Sequence, residues 1–257
     1  MNDLTVVVPV FNEDPVIVEN LFKRIRALGA DCLIVDDGDT MGLKFSVGYK
    51  PHTGYGFAIK TGIYMAKTPL VLTMDGDGQH RIEDVTNLYK CYKMLKETSI
   101  DVKMVVGVRH NLKETWYRYW GRKCINFYAS CIAGHYMIDL NSGMRIFDRK
   151  LANDYHEILC NHFSFTTSLT MAILADGYQM AWLPIKVLPR KSGNSRVKVF
   201  SDALTTLRYA TYVGLGMRTR RIRGWLRKLR HISTLSILKE TGVAGYFTLK
   251  GLKTVFR

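Results

Sequence analysis

At 257 residues, with 47% hydrophobic residues and a net charge of +15, the chain is long enough for one substantial core with an appendage and too apolar to be disordered. Five cysteines at 32, 91, 124, 131 and 160 form no C-x-x-C pair and are odd in number, which fits packing residues in a reduced cytosolic protein better than a disulfide scaffold. No apolar stretch approaches the roughly 18 residues of a membrane span, and Met1-Asn2-Asp3 lacks the basic and apolar regions of an export signal, so neither is expected.

Short apolar runs alternate with helical periodicity, the pattern of an α/β domain with a largely parallel sheet. Thr5 to Val10 reads as a first buried strand. Asp14 then serves as N-cap to a helix opening at Pro15, whose Val18, Leu21, Phe22, Ile25 and Leu28 follow helical spacing. A second strand, Cys32 to Val35, ends at Asp36-Asp37-Gly38-Asp39. Beyond a loop, a helix from Gly56 to Ala66 leads into the apolar run Pro69 to Met74, which closes on Asp75. Ile82, Val85, Leu88, Tyr89, Tyr92 and Leu95 mark a further helix, Val102 to Val108 a strand with Arg109 just after it, and Trp116 to Ile132 a helix. Ser142 to Phe147 reads as a strand, Thr166 to Ala175 as a helix and Met180 to Leu188 as extended chain. Polar groups at 11–13, 36–39, 75–79 and 109 thus sit at strand ends, and in an open α/β sheet such ends gather on one rim where ligands bind.

From Val199 the pattern is helical and basic: residues 202–257 hold 12 Lys or Arg against Asp202 and Glu240, a net +10. Leu215, Ile222, Trp225, Leu226, Leu229 and Ile232 fall on one helical face, and Arg220, Arg223, Arg227, Lys228 and Arg230 largely on the other. An apolar stripe backed by arginines suits a helix lying in an anionic membrane interface. The alternatives are a helix packed on the domain with a solvated basic face, or an RNA-binding arm.

The stretch Met74-Asp75-Gly76-Asp77-Gly78-Gln79-His80 carries the most chemistry. Two carboxylates one residue apart at a strand end suit a hard cation that is shared with a diphosphate, although a solvated acidic turn would read the same way in isolation. Zinc is not expected, because the seven histidines show no H-E-x-x-H or Cys/His cluster.

In order, Val8-Pro9-Val10-Phe11-Asn12-Glu13, Asp36-Asp37-Gly38, Gly54-x-Gly56, Asp75-x-Asp77-x-Gln79-His80, Ser142-Gly143-Met144-Arg145 and Arg190-x-x-Gly193-x-Ser195-Arg196 resemble the family 2 glycosyltransferases, above all the dolichyl- and polyprenyl-phosphate sugar synthases. The resemblance spans roughly residues 4–198. It implies an α/β, A-type glycosyltransferase fold, Rossmann-like with a mostly parallel sheet, followed by the basic amphipathic helical tail. The implied organisation is a catalytic domain over 1–198, with a nucleotide half to 110 and an acceptor half over 111–198, and a membrane-docking tail over 199–257.

The same likeness assigns roles. Pro9, Phe11, Glu13, Asp36, Asp37 and Asp75 would line the nucleotide pocket, with Asp37 the stronger of the acidic pair and Asp36 alternatively a turn or cap residue. Gly54-Tyr55-Gly56 reads as a close-approach loop near the nucleotide. Asp75, Asp77 and Gln79 match the Mg2+ or Mn2+ positions, Asp75 reaching either the metal or the ribose. Arg109 and Arg122 match contacts to an acceptor phosphate, and Arg190, Ser195 and Arg196 match a loop that closes over the diphosphate, with arginine at 196 in place of the usual lysine. Asp139 is either a general base for a hydroxyl acceptor or a partner that orients Arg122 or Arg145. Near Ser168 many relatives carry a glutamate that this chain lacks.

The implied reaction is metal-dependent transfer, with inversion, from a UDP- or GDP-sugar to a polyprenyl or dolichyl phosphate, with Asp77, Asp139 and Arg190 at its centre. The implied location is peripheral, on the cytoplasmic face of the membrane, where an anionic surface or a membrane-spanning partner subunit replaces the missing spans; nucleic acid is not the expected partner. The rival readings are a soluble transferase with a hydroxyl acceptor and an inactive basic binding module. The intact D-x-D-x-Q and R-x-x-G-x-S-R patterns weigh against the latter.

Overall fold

A computed structural model describes residues 1–38, 46–48, 53–97, 101–110, 115–189 and 199–231, without the side chains of 199–200 and 220–231. Residues 1–216 form one compact unit and 217–257 a second. The first is built on β1 (Leu4–Val10), α1 (Pro15–Ala27), β2 (Asp31–Asp36), β3 (Ser46–Gly48), α2 (Tyr55–Met65), β4 (Leu70–Thr73), α3 (Ile82–Lys96), β5 (Val102–His110), α4 (Trp116–Ala133), β6 (Arg145–Asp148), α5 (Arg149–Asp154), α6 (Phe165–Ala175) and β7 (Gln179–Lys186). The last helix, α7, runs over Val199–His231. Of the apolar stripe expected along it, Leu215 is half exposed; the side chains of Ile222, Trp225, Leu226 and Leu229 are outside the described set, as is Ile232.

The seven strands form one sheet in the order β3-β2-β1-β4-β6-β5-β7. All neighbours are parallel except β6, which is antiparallel to both β4 and β5. Strand β1 is buried along its whole length because both faces are covered, which is why its sequence is a continuous apolar run rather than an alternation. Leu4, Val6, Val8 and Val10 share one core with Val18, Leu21 and Ile25 of α1 and Ile82, Val85 and Leu88 of α3. On the opposite face, α2 lies so close to β1 that a side chain at Gly62 would collide with Val7. Pro9 is tolerated in this central strand because the ladder with β4 ends at Val7, where no N–H is needed beyond it.

The cap at Asp14 forms as expected, its carboxylate accepting the Val16 N–H at 2.8 Å. Helix α6 is buried at every position; the hydroxyls of Thr167, Ser168 and Thr170 are satisfied by Asn141 Oδ1 and the Phe165 and Thr166 carbonyls, which lets it sit centrally. Arg109 lies inside β5, not after it. The expected packing role holds for Cys32 and Cys160, which are buried; Cys124 and Cys131 are exposed, because α4 turns that side to solvent.

Candidate active site

The parallel strands β1, β2 and β4 deliver Phe11-Asn12-Glu13, Asp36-Asp37-Gly38 and Asp75 to His80 to a common rim. Because β6 runs the other way, the chain that enters it, Asp139 to Met144, arrives at that rim as well. This reversal joins the second half of the sequence to the first. Pro9 is buried within its strand, whereas Phe11 and Glu13 are half-buried beyond it. Asn12 adopts a left-handed backbone (φ 51°), and a side chain at Gly38 would lie 2.5 Å from its Oδ1.

The two adjacent acids do different work. Asp36 Oδ1 accepts the Gly38 N–H at 2.9 Å, a local turn of the kind expected of it. Asp37, 3% exposed, accepts the Thr53 and Gly54 N–H groups, each at 2.9 Å, and so fastens the loop that opens α2. At Gly54 the φ of +115° favours glycine, and at Gly56 a Cβ would strike the Cys160 carbonyl. The close approach expected of these glycines therefore exists, but it is to the backbone of 160–162. Phe57 N–H donates to the Asn161 carbonyl at 2.9 Å and Lys60 Nζ to Asn161 Oδ1 at 2.7 Å.

Asp75 sits at the centre of the rim. Tyr55 O–H donates to its Oδ1 at 2.9 Å, and His80 Nε2 lies 3.2 Å from its Oδ2. Gly143 packs directly on this carboxylate: a Cβ there would be 2.5 Å from Oδ1. Thr73 Oγ1 donates to the Gly143 carbonyl at 2.6 Å, locking the Ser142-Gly143 turn to the acidic turn. Burial alone would raise the Asp75 carboxyl, but His80, Tyr55 and Arg109 hold it below its ordinary value. Burial and the neighbouring Asp75 push the Tyr55 phenol well up, so it remains a neutral donor.

Asp77 is buried and accepts the Gln79 N–H at 3.0 Å. Gln79 donates its amide to the Leu188 carbonyl at 3.2 Å, while Leu188 N–H returns a bond to the Gln79 carbonyl at 2.8 Å. Among the described residues no cluster of three or more His, Cys, Asp or Glu could enclose a metal. One or two carboxylates on an open turn suit Mg2+ or Mn2+ held jointly with a diphosphate rather than a cage made by protein alone.

Arg109 and Asp139 form a bidentate pair: Nε to Oδ2 and Nη2 to Oδ1, both 2.8 Å, with the Arg109 N–H also donating to Oδ2 at 3.2 Å. Burial would raise the Asp139 carboxyl; the Arg109 bonds and charge, with a contribution from Arg122, bring it below the usual carboxylate value. A carboxyl depressed on folding stabilises the fold fully above its unfolded value of roughly 3.9 and loses that contribution as pH falls through the folded value. Asp139→Asn is therefore expected to make the acid limb of a melting-temperature profile shallower below about pH 4 and to cost about 2 kcal/mol at neutral pH, since Arg109 loses its partner. An acid limb as steep as the parent's would remove this pair from the account.

Behind these groups lies Arg145, which sequence reasoning placed in a motif without recognising its burial. It is 0% exposed. Its guanidinium donates to the carbonyls of Ser142, Leu140 (3.1 Å) and Thr166 (2.8 Å) and to Thr170 Oγ1 (3.0 Å). Burial pulls it down to about 10, still cationic near neutrality. The hydrogen-bonding partner of Asp139 is thus Arg109, while Arg122 acts on it through charge; Arg122 is half-buried, 5.6 Å from the Tyr119 ring centroid. Tyr55 and Phe163, which stacks on it at 5.4 Å, join the site without a signal in the sequence beyond the glycines that flank Tyr55, and His80, part of the acidic motif, gains the role of a partner to Asp75. Ser168 bonds the Cys160 N–H at 3.0 Å and the Phe165 carbonyl at 2.9 Å. Arg190, Ser195 and Arg196 lie outside the described residues.

Comparison with known proteins bears on the family and the fold. Residues 5–156 match the model of glycosyl transferase family 2. An uncharacterised protein of Methanocaldococcus jannaschii is 26% identical over 213 residues, covering 76% of this chain and 85% of that one. The undecaprenyl-phosphate 4-deoxy-4-formamido-L-arabinose transferase of Proteus mirabilis is 25% identical over 239 residues, covering 80% and 68%. In fold, the chain is similar to glucosyl-3-phosphoglycerate synthase of Mycobacterium tuberculosis, crystallised with Mn2+, UDP-glucose and phosphoglyceric acid, at a TM-score of 0.65, 12% identity and coverage of 82% and 79%. With an A-type glycosyltransferase fold and a family model matched over more than half its length, the chain is an enzyme that belongs to the family 2 glycosyltransferases.

Proposed function

We propose that this glycosyltransferase moves a sugar from a UDP- or GDP-sugar to a polyprenyl or dolichyl phosphate, with inversion, at the cytoplasmic face of a membrane. The donor nucleoside would lie over Phe11, Glu13 and Asp37, its diphosphate against the Asp75–Gln79 turn. Mg2+ or Mn2+ held by Asp77, with Asp75 and Gln79 beside it, would offset the charge that grows on the β-phosphate as the sugar departs. Arg190, Ser195 and Arg196 would close over the diphosphate. An acceptor phosphate oxygen forms a bond to the anomeric carbon while the bond from that carbon to the β-phosphate oxygen breaks.

The observation that carries the acceptor assignment is the state of Asp139. Both its oxygens are engaged by Arg109 and its carboxyl is held below the ordinary value, which makes it a weak base. A hydroxyl acceptor needs a base, whereas a phosphate monoester is already an anion near neutral pH. Asp139 then serves by aiming Arg109, with Arg122 as the second guanidinium for the incoming phosphate. The Proteus mirabilis relative, named for undecaprenyl phosphate, supports the same class.

The test is kinetic. Arg122→Ala should raise the KM for polyprenyl phosphate about tenfold and leave the donor KM within twofold, the loss of one charge-assisted phosphate contact. An unchanged acceptor KM, or transfer to polyprenol as fast as to its phosphate, would defeat the reading.

A further inference from the structure

Helix α4 turns its polar side inward and its aromatic side out. Asn126 is buried, donating to the Ile138 carbonyl at 2.7 Å and accepting the Leu140 N–H at 3.3 Å, and Ala129 and Ala133 are buried on the same side. The opposite side carries Trp116, Trp120 and Phe127, which are 76%, 60% and 72% exposed, with Cys131 exposed in line behind them. At helical spacing these four fall on one stripe. The stripe continues on the neighbouring helix: Tyr128 O–H and Thr211 Oγ1 are 2.7 Å apart, Gly214 packs against Ile132, and Tyr212 and Leu215 of α7 are 67% and 49% exposed.

Large aromatic side chains exposed along one helix, with more on its neighbour, mark an interaction surface. Its charge says for which partner. From Trp116 to Ile138 there is no acidic residue, but Arg118, Arg122 and Lys123 are present. Rings of Trp and Tyr beside Arg118 and Lys123, on a helix without a carboxylate, match the chemistry of a bilayer's headgroup boundary, where the ring bodies enter the acyl region and the cations meet lipid phosphate. A protein partner would instead bring carboxylates to the rim of the contact, or be met by them here. Among the described residues no helix is long and apolar enough to cross a membrane, so this attachment is by surface contact.

We propose that the exposed stripe of α4, extended by Tyr212 and Leu215, docks in the interface of an anionic bilayer, and that the other side of the same helix thereby brings Arg122 to the level of the lipid phosphates. The proposal rests on the acceptor reading for its purpose but not for its measurement. Docking through α4 is independent of the basic tail and places the acceptor side of the site, rather than the chain terminus, against the lipid.

The full-length protein with Trp116→Ser, Trp120→Ser and Phe127→Ser is compared with the parent for flotation with vesicles of phosphatidylcholine containing a minority of phosphatidylglycerol. The variant should partition about tenfold less, with donor binding and circular dichroism unchanged. In a Trp182→Phe, Trp225→Phe background, lipids brominated along the acyl chains should quench the fluorescence of Trp116 and Trp120. Equal partition of variant and parent, or absence of quenching, overturns the proposal. A parent that ignores vesicles but forms a dimer broken by the three substitutions also overturns it, in favour of a second copy as occupant. Transfer to vesicle-borne polyprenyl phosphate should fall in the variant, while transfer to the same lipid in detergent persists. If the parent floats with vesicles through α4 but labels no polyprenyl phosphate in either form, docking stands and the acceptor reading falls.

Discussion

Arg145→Met lowers stability by about 3 kcal/mol and the melting temperature by roughly 10 °C. The side chain is fully buried and supplies hydrogen bonds to the carbonyls of Leu140, Ser142 and Thr166. Methionine has similar bulk but no donor, so each carbonyl loses a partner at about 1–3 kcal/mol. Relief from holding a cation out of water offsets part of that sum, which is why the net is nearer 3 than 6 kcal/mol. Lysine cannot substitute, since a single ammonium does not reach carbonyls spread across the 140–142 turn and α6. Chemical denaturation of the variant checks the figure, and a loss below about 1 kcal/mol would mean that the turn does not depend on this arginine.

Asp77→Asn reduces turnover about a thousandfold at saturating donor and metal. Asparagine keeps an oxygen that can accept the Gln79 N–H, now at 3.0 Å from Asp77 Oδ1, so the turn keeps its shape. What disappears is one negative charge and one hard ligand. The melting temperature should therefore move by no more than a degree or two while kcat collapses, and that separation is the signature of a role in the reaction. A kcat within threefold of the parent would exclude Asp77 from the site.

Strands were legible in the sequence where an apolar run ended in acids or glycine, as at Val10, Asp36 and Thr73, because a buried strand must surface at a polar turn. Strand β3, only three residues long, and the six-residue α5 are too short to develop a period. The α5 cap, Asp148, whose carboxylate accepts the Leu151 N–H at 3.1 Å, emerges only in the structure. Direction was not readable: nothing in Arg145 to Asp148 distinguishes an antiparallel strand from a parallel one, although that reversal brings Asp139 and Gly143 to Asp75. For the site, individual acids at strand ends could be named, but their partners could not. Tyr55 with Asp75, Asp37 with Gly54 and Arg109 with Asp139 are joined only when the chain closes on itself. Periodicity found α4 but not its orientation. A stripe of Trp and Phe is ordinarily a core face, and here Asn126 and two alanines take that place.

The central claim is that the Asp75–Gln79 turn holds a divalent cation together with the donor diphosphate. Calorimetric titration of UDP- and GDP-sugars, with Mn2+ and with chelator, into the parent protein and Asp77→Asn tests it most directly. The account predicts that one donor class binds the parent at least about tenfold more tightly with Mn2+, and that this gain vanishes in Asp77→Asn. The same metal-dependent gain in both proteins, or none in the parent, would contradict it.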